Sequence, residues 1–323
     1  MASTPVVLLH DAAVDEYMVT VLLTVMPNIE LRGIVIVNAD CIAEPAMDAA
    51  SRLQQFLGRE DIPLALSRAR GWNAFPWPYR SDCVSFGKIP SLAPYKSKVP
   101  TPPPSGEALL TQLLEQAIAA GTPLTMLVTS PITPLTDVLQ ADFRLIEGIG
   151  RVVWMGGAIN VPGNLDPNTV PPAVANKHAE WNAFWDPYAV DFAFRWFQGI
   201  NLCPLDISNN TPGSKQFMIA LQQQGKQYSY SQLVFEAYSI VAAEPFYDMW
   251  DVTAACWLTN PALYAKPSLM GLGIETWGFD QGWIKTPIGP NPKPRNAQNV
   301  FLNFQNKPGF YSYVLSLLQK SNT

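Results

Sequence analysis

The residues with the most chemical potential stand close together near the start of the chain: Asp11, Asp15 and Glu16, in the run Leu9-His10-Asp11-Ala12-Ala13-Val14-Asp15-Glu16. Three neighbouring carboxylates repel one another unless a proton or a cation compensates them, and hard cations such as Ca²⁺ or Mg²⁺ prefer oxygen ligands. A plainer alternative is that Asp15 and Glu16 favour a helix N-terminus while Asp11 caps it. The elements that must position these side chains can be read on either side. Val6-Val7-Leu8-Leu9 predicts a buried strand, on which Leu9 and Asp11 share one direction and His10 points the other way. Asp11 then leaves the strand's C-terminal end, the edge at which open α/β sheets bind ligands. Residues 15–26 follow with a helical pattern that Pro27 stops.

The same alternation continues along the chain. Short β-branched runs at residues 34–37, 124–128 and 152–155 are separated by helical patterns at 45–57, 106–120 and 133–139. This predicts an α/β fold: a Rossmann-like, open, mostly parallel sheet flanked by helices, in a single large domain over residues 1–323. Two stretches interrupt it. Residues 68–104, rich in Pro and aromatics, and 160–175, rich in Pro, Asn and Gly, are expected to be functional loops, with surface decoration the alternative for the first. Farther on, residues 201–206 and 299–303 are expected strands, and 216–221, 231–243 and 311–319 expected helices, with a Pro-rich stretch at 287–294.

Composition narrows the function classes. With 48% hydrophobic residues the chain can bury an extended core, and 21 basic against 26 acidic residues leave no basic footprint for nucleic acid. The apolar run at residues 17–26 is too short to span a bilayer, and the first five residues lack the basic and apolar regions of a signal peptide. Cys41, Cys83, Cys203 and Cys256 are scattered, without a C-x-x-C pair. The expected partner is a small molecule, with neither nucleic acid nor membrane; reduced thiols point to the cytoplasm, and homo-oligomerisation stays open.

Five separated segments sharpen this picture: the opening run above, Asn38-Ala39-Asp40-Cys41, Val128-Thr129-Ser130-Pro131-Ile132, Met155-Gly156-Gly157-Ala158 and Ala179-Glu180-Trp181-Asn182. Together with Gly163-Asn164, Trp185-Asp186-Pro187 and Trp250-Asp251-Val252-Thr253-Ala254-Ala255, their order resembles the nucleoside hydrolase family. That resemblance implies a metal-dependent hydrolase that splits a ribonucleoside and water into ribose and base. It implies Ca²⁺ held by Asp11, Glu16, Asp251 and the Thr129 main-chain carbonyl, with Asp11 as the general base on calcium-held water. It further implies that Asp15 and Asn182 hold the 2′-hydroxyl, Asp251 the 3′-hydroxyl, and Asn164 with Glu180 the 5′-hydroxyl. Asp40 would support Asp11, and Met155 would lie under the ribose.

For the base, Trp250 next to Asp251 is similar to the purine-stacking inosine-adenosine-guanosine branch of that family. The run Asn73-Ala74-Phe75-Pro76-Trp77-Pro78-Tyr79-Arg80 likewise resembles the branch's aromatic loop, which would set Tyr79 opposite Trp250 across a base. A hydrophobic plug is the alternative role for Trp72, Phe75, Trp77 and Tyr79. His178 is expected beside the ribose-binding segment.

Several positions depart from the family pattern. Its opening Asp-x-Asp-x-x-x-Asp-Asp has Leu9 at the first aspartate, Glu16 at the last and Ala13 where an asparagine can lie. In the aromatic loop, Tyr79 stands where tryptophan is usual and Pro78 replaces an acid that could bind the purine edge. Two alternatives therefore accompany nucleoside hydrolysis: a related hydrolase of another glycosyl substrate, and a nucleoside- or sugar-binding protein that has lost catalysis.

Overall fold

Alternation along the first strand sets the layering. Val6 and Leu8 enter one apolar core and Val7 and Leu9 another, because successive side chains of a strand face opposite sides of the sheet. The computed structural model describes residues 3–76, 78–168, 170–244, 247–286 and 297–322. Its strands are β1 (Thr4–His10), β2 (Ile29–Ile36), β3 (Leu64–Leu66), β4 (Leu124–Thr129), β5 (Ile149–Met155), β6 (Asn201–Cys203), β7 (Ser268–Gly271), β8 (Gly273–Ile274), β9 (Ile284–Lys285) and β10 (Ala297–Val300). Eight of them form one sheet in the order β3-β2-β1-β4-β5-β6-β10-β7, parallel except for the antiparallel β10/β7 pair; β8 and β9 make a separate antiparallel pair.

The expected α/β architecture is therefore present. Helices Val14–Val25, Ala43–Leu57, Ser229–Ile240 and Trp250–Trp257 cover one face, and Gly106–Ala120, Thr133–Ala141 and Pro187–Trp196 cover the other. Each fully buried Leu or Val of these layers is worth roughly 1.5–3 kcal/mol of transfer free energy. The chain winds outward through β1, β2 and β3, then returns to the other side of β1 with β4. Strand order thus reverses between β1 and β4, whose register ends on the pair His10 and Thr129. Open α/β sheets form a crevice at such a switch point.

Some local expectations change. Leu205 and Asp206, expected in a strand, begin helix Leu205–Ser208: the strand stops at Cys203, and the Asp206 carboxylate accepts from the N–H groups of Ile159 and Asn160. Residues 301–303 lie beyond β10, and helix Ser229–Ile240 ends before residue 243. The stretch 68–104 is not uniformly irregular, since it contains a 3-10 turn, Pro78–Ser81, and helix Asp82–Phe86. Trp77 and residues 287–294 lie outside the described residues. Among the described residues no helix is long and apolar enough to cross a membrane.

Candidate active site

Asp11 is the first residue past β1, and the chain turns sharply behind it: Ala12 has φ 64°, an uncommon left-handed conformation for a residue with a Cβ. His10 supports this turn. Its Nδ1 accepts from the Ala12 N–H at 3.2 Å, while burial presses its pKa down to about 3 and keeps the ring a neutral acceptor. The turn lets helix Val14–Val25 start at once, so that Asp11, Asp15 and Glu16 are all buried above the sheet edge. Asp11 does not cap this helix; the cap position is Ala13, and no side chain serves it.

The carboxylates have different surroundings. Asp11 Oδ2 accepts from the Asp40 main-chain N–H at 3.2 Å, so the support expected from Asp40 comes through its backbone. Burial raises Asp11 to about 6, against the lowering effects of a hydrogen bond with Glu16, the Asp40 N–H and the charge of Arg80. Glu16 is raised well above the usual range by burial, then by Asp251 and Asp11. Asp11 and Glu16 therefore share one buried, acid-rich environment in which burial opposes the charge on both. Asp251 is also raised well above the usual range, by burial and then by Asp15 and Asp11.

Asp15 is committed to the protein around it. Its Oδ1 accepts from Tyr238 Oη at 2.5 Å, and its Oδ2 from the N–H groups of Asp251 at 2.6 Å and Val252 at 3.0 Å. Burial still raises it to about 6. Tyr247 adds a further link, its hydroxyl accepting from the Asp15 N–H at 3.0 Å.

The opposite wall is organised by Glu180. Its carboxylate accepts from Asn182 N–H at 2.8 Å and Ala183 N–H at 3.2 Å, capping helix Trp181–Trp185, and from Gly157 N–H at 2.7 Å. Burial outweighs these bonds and raises Glu180 to about 7. Asn182 Nδ2 donates to the Met155 carbonyl at 3.2 Å, and Asn164 Oδ1 accepts from the Trp181 N–H at 3.1 Å. Gly163 makes this approach possible, since a Cβ there would lie 2.0 Å from the Ala179 carbonyl oxygen.

These walls enclose a cleft with about 640 Å³ of empty space, its open mouth included. Asp11, Asp15, Glu16, Asp40, Tyr79, Met155, Asn164, Glu180, Asn182, Trp250 and Asp251 all line it. Of the residues singled out in the sequence, Thr129 is not in this lining; it is buried at the end of β4, its hydroxyl donating to the Leu9 carbonyl at 3.4 Å. His178 is also outside, stacked on Trp283 with ring centroids 4.3 Å apart. The aromatic loop divides its roles. Phe75 stacks on Trp181 at 4.3 Å, Trp72 is largely exposed against Tyr188, and Tyr79 faces the cleft. Asp82, Glu244 and Tyr247 line the cleft too, although no local sequence pattern marks them.

Among the described residues, no group of three or more His, Cys, Asp or Glu side chains stands arranged to hold a metal ion. The donor chemistry nevertheless fits a hard cation. Glu16 Oε2 and Asp251 Oδ1 are buried without a hydrogen-bond partner among the described residues, a costly condition that an oxygen-preferring cation would relieve.

The chain is similar to known proteins along nearly its whole length. A family model described as inosine-uridine preferring nucleoside hydrolase matches residues 6–302. The non-specific ribonucleoside hydrolase RihC of Escherichia coli strain SE11 is 27% identical over 317 residues, covering 97% of this chain and 98% of that protein. Among solved structures, the inosine-uridine preferring nucleoside hydrolase from Bacillus anthracis superposes with a TM-score of 0.83 at 27% identity, over 98% of this chain and 99% of that one. The purine-preferring ribonucleoside hydrolase from Gardnerella vaginalis shares the fold, with a TM-score of 0.80 at 17% identity and 98% coverage of both chains.

Proposed function

The chain belongs to the inosine-uridine preferring nucleoside hydrolase family, whose members are N-glycosyl hydrolases, and on that premise we propose that it hydrolyses ribonucleosides with Asp11 as the general base. One observation carries the role of Asp11: its buried carboxylate stands at the switch point of the sheet, lines the cleft, and is oriented by the Asp40 N–H. A base must be aimed as well as basic, and the Asp40 N–H supports the aim of Asp11.

Asp11, Glu16, Asp251 and the Thr129 main-chain carbonyl would hold the metal, which we take to be calcium because the donors are hard oxygens that include carboxylates. When bound, it supplies acidification of water and an anchor for ribose hydroxyls. Asp15 and Asn182 then hold the 2′-hydroxyl, Asp251 the 3′-hydroxyl, and Asn164 with Glu180 the 5′-hydroxyl, while Met155 supports the ring. As the C1′–N bond breaks, its electron pair leaves with the base, which takes up a proton from solvent, and the positive charge growing on the ribose is met by surrounding carboxylates. Asp11 takes the proton of the water that adds to C1′. Tyr79 and Trp250 offer the base aromatic faces. The non-specific relative in Escherichia coli supports a range of ribonucleosides as substrates.

The test is Asp11→Asn, assayed with purine and pyrimidine ribosides in the presence of calcium. Turnover should fall by 10²-fold or more, of order the contribution of a positioned base, with an unchanged circular dichroism spectrum. Undiminished turnover would remove Asp11 from the mechanism. Hydrolysis of other glycosides alone, or of none, would favour the two alternative activities.

A further inference from the structure

Every titratable side chain along the described lining of the cleft is a carboxylic acid or a tyrosine; no lysine, arginine or histidine lines it. Asp11, Glu16 and Asp251 are the proposed calcium ligands, and Asp15 and Glu180 are engaged with main-chain N–H groups. Three acids of the lining remain, Asp40, Asp82 and Glu244. Asp82 follows Tyr79 at the start of helix Asp82–Phe86, and Glu244 precedes Trp250 in the segment after helix Ser229–Ile240. Each of these two therefore comes from the segment that supplies one of the two aromatic faces. Asp40 contributes a carboxylate oxygen, Oδ1, that is buried and has no hydrogen-bond partner among the described residues.

Among the described residues no basic side chain joins these acids in the lining, although the charge of Arg80 reaches Asp40 from outside it. Burial raises Asp82 to about 6, and burial with the charge of Asp82 raises Glu244 to about 7. The nearby cation, Arg80, donates to the Cys41 carbonyl at 2.7 Å and to Asn38 Oδ1 at 3.4 Å and does not line the cleft. A positively charged base in the cleft would gain from the aromatic faces of Tyr79 and Trp250 and from the carboxylates that share the lining with them. A neutral base gains only the stacking.

We propose that the cleft selects N-ribosides whose base already carries a positive charge, such as N7-alkylated purine or pyridinium ribosides, over their neutral counterparts. This rests on the nucleoside hydrolase function above. When the C1′–N bond of such a substrate breaks, the bonding pair passes into the cationic ring, which leaves as a neutral base. Water adds to C1′ and gives its proton to Asp11, which returns it to solvent. Departure needs no acid on the base side, in keeping with a described lining that has no histidine.

The experiment compares kcat/KM for 7-methylinosine and inosine in the calcium-loaded protein and in the Asp82→Asn/Glu244→Gln double variant. Alkylation weakens the glycosidic bond by itself, so the ratio of the two substrates is compared between proteins. The ratio should fall about tenfold or more in the double variant, mainly through KM for 7-methylinosine. In the unaltered protein, added salt should raise KM for 7-methylinosine more than KM for inosine. An unchanged ratio, with inosine still cleaved, overturns the proposal. So does loss of inosine turnover on Glu244→Gln alone, which would make Glu244 an acid acting on the leaving base. If the unaltered protein cleaves neither substrate, the hydrolase function itself fails, and this proposal with it.

Discussion

Asp15 closes the helix that carries Asp251: its Oδ2 accepts the main-chain N–H of Asp251 at 2.6 Å, across 236 positions of sequence, and that of Val252 at 3.0 Å. Met249, the helix's own cap residue, offers no side-chain acceptor. A carboxylate from the first turn of one helix thus serves the N-terminus of another, satisfying two N–H groups that would otherwise lack partners. The same bonds bring Trp250 and Asp251 to the cleft that Asp11 lines.

Asp15→Ala should therefore destabilise the fold as well as impair the site. Losing a helix cap and the Tyr238 partner should cost about 1–3 kcal/mol in urea unfolding. A cost of only a few tenths would mean that the helix is held by packing alone.

Glu180 should make stability depend on pH. Its folded pKa is raised to about 7 from 4.5, so between those values the folded state binds more protons than the unfolded state. Its contribution is full below about pH 4.5 and declines as pH rises toward 7. The stability difference between the unaltered protein and Glu180→Gln should narrow over that window, by roughly 1–3 kcal/mol. A difference that widens with pH would contradict burial as the cause.

Calcium should stabilise the protein, and chelation should abolish turnover. At a hundredfold excess over Kd, the gain in unfolding free energy should be about 2.7 kcal/mol. Glu16→Gln should weaken calcium binding at least tenfold by calorimetry, as expected for loss of an ionised ligand. Equal affinity in that variant would exclude Glu16 as a ligand.

The aromatic faces should govern choice of base. Trp250→Ala should reduce kcat/KM about tenfold more for inosine than for uridine, because the larger ring loses more stacking. Tyr79→Trp should shift preference toward purines. Equal losses for both substrates would make Trp250 a wall of the cleft rather than a stacking partner.

The fold class, β1, and the grouping of Asp11, Asp15 and Glu16 were legible in the sequence. All depend on contiguous residues, where a period of two hands over to a helical period within one short run. The exact match of helix Gly106–Ala120 to its expected bounds has the same origin, with Ser105 capping its start and Gly121 its end in a left-handed conformation. The long-range partnerships were decided by tertiary structure. Nothing near Asp15 announces that it caps a helix beginning at Trp250, or that Tyr238 and Tyr247 bind it. Asp82 and Glu244 look like ordinary surface acids in sequence, yet they line the cleft beside residues that motifs did mark. Local propensity acts over a few residues, whereas a closed cleft depends on which distant segments the sheet order brings to one edge. The strand reversal between β1 and β4 created that edge.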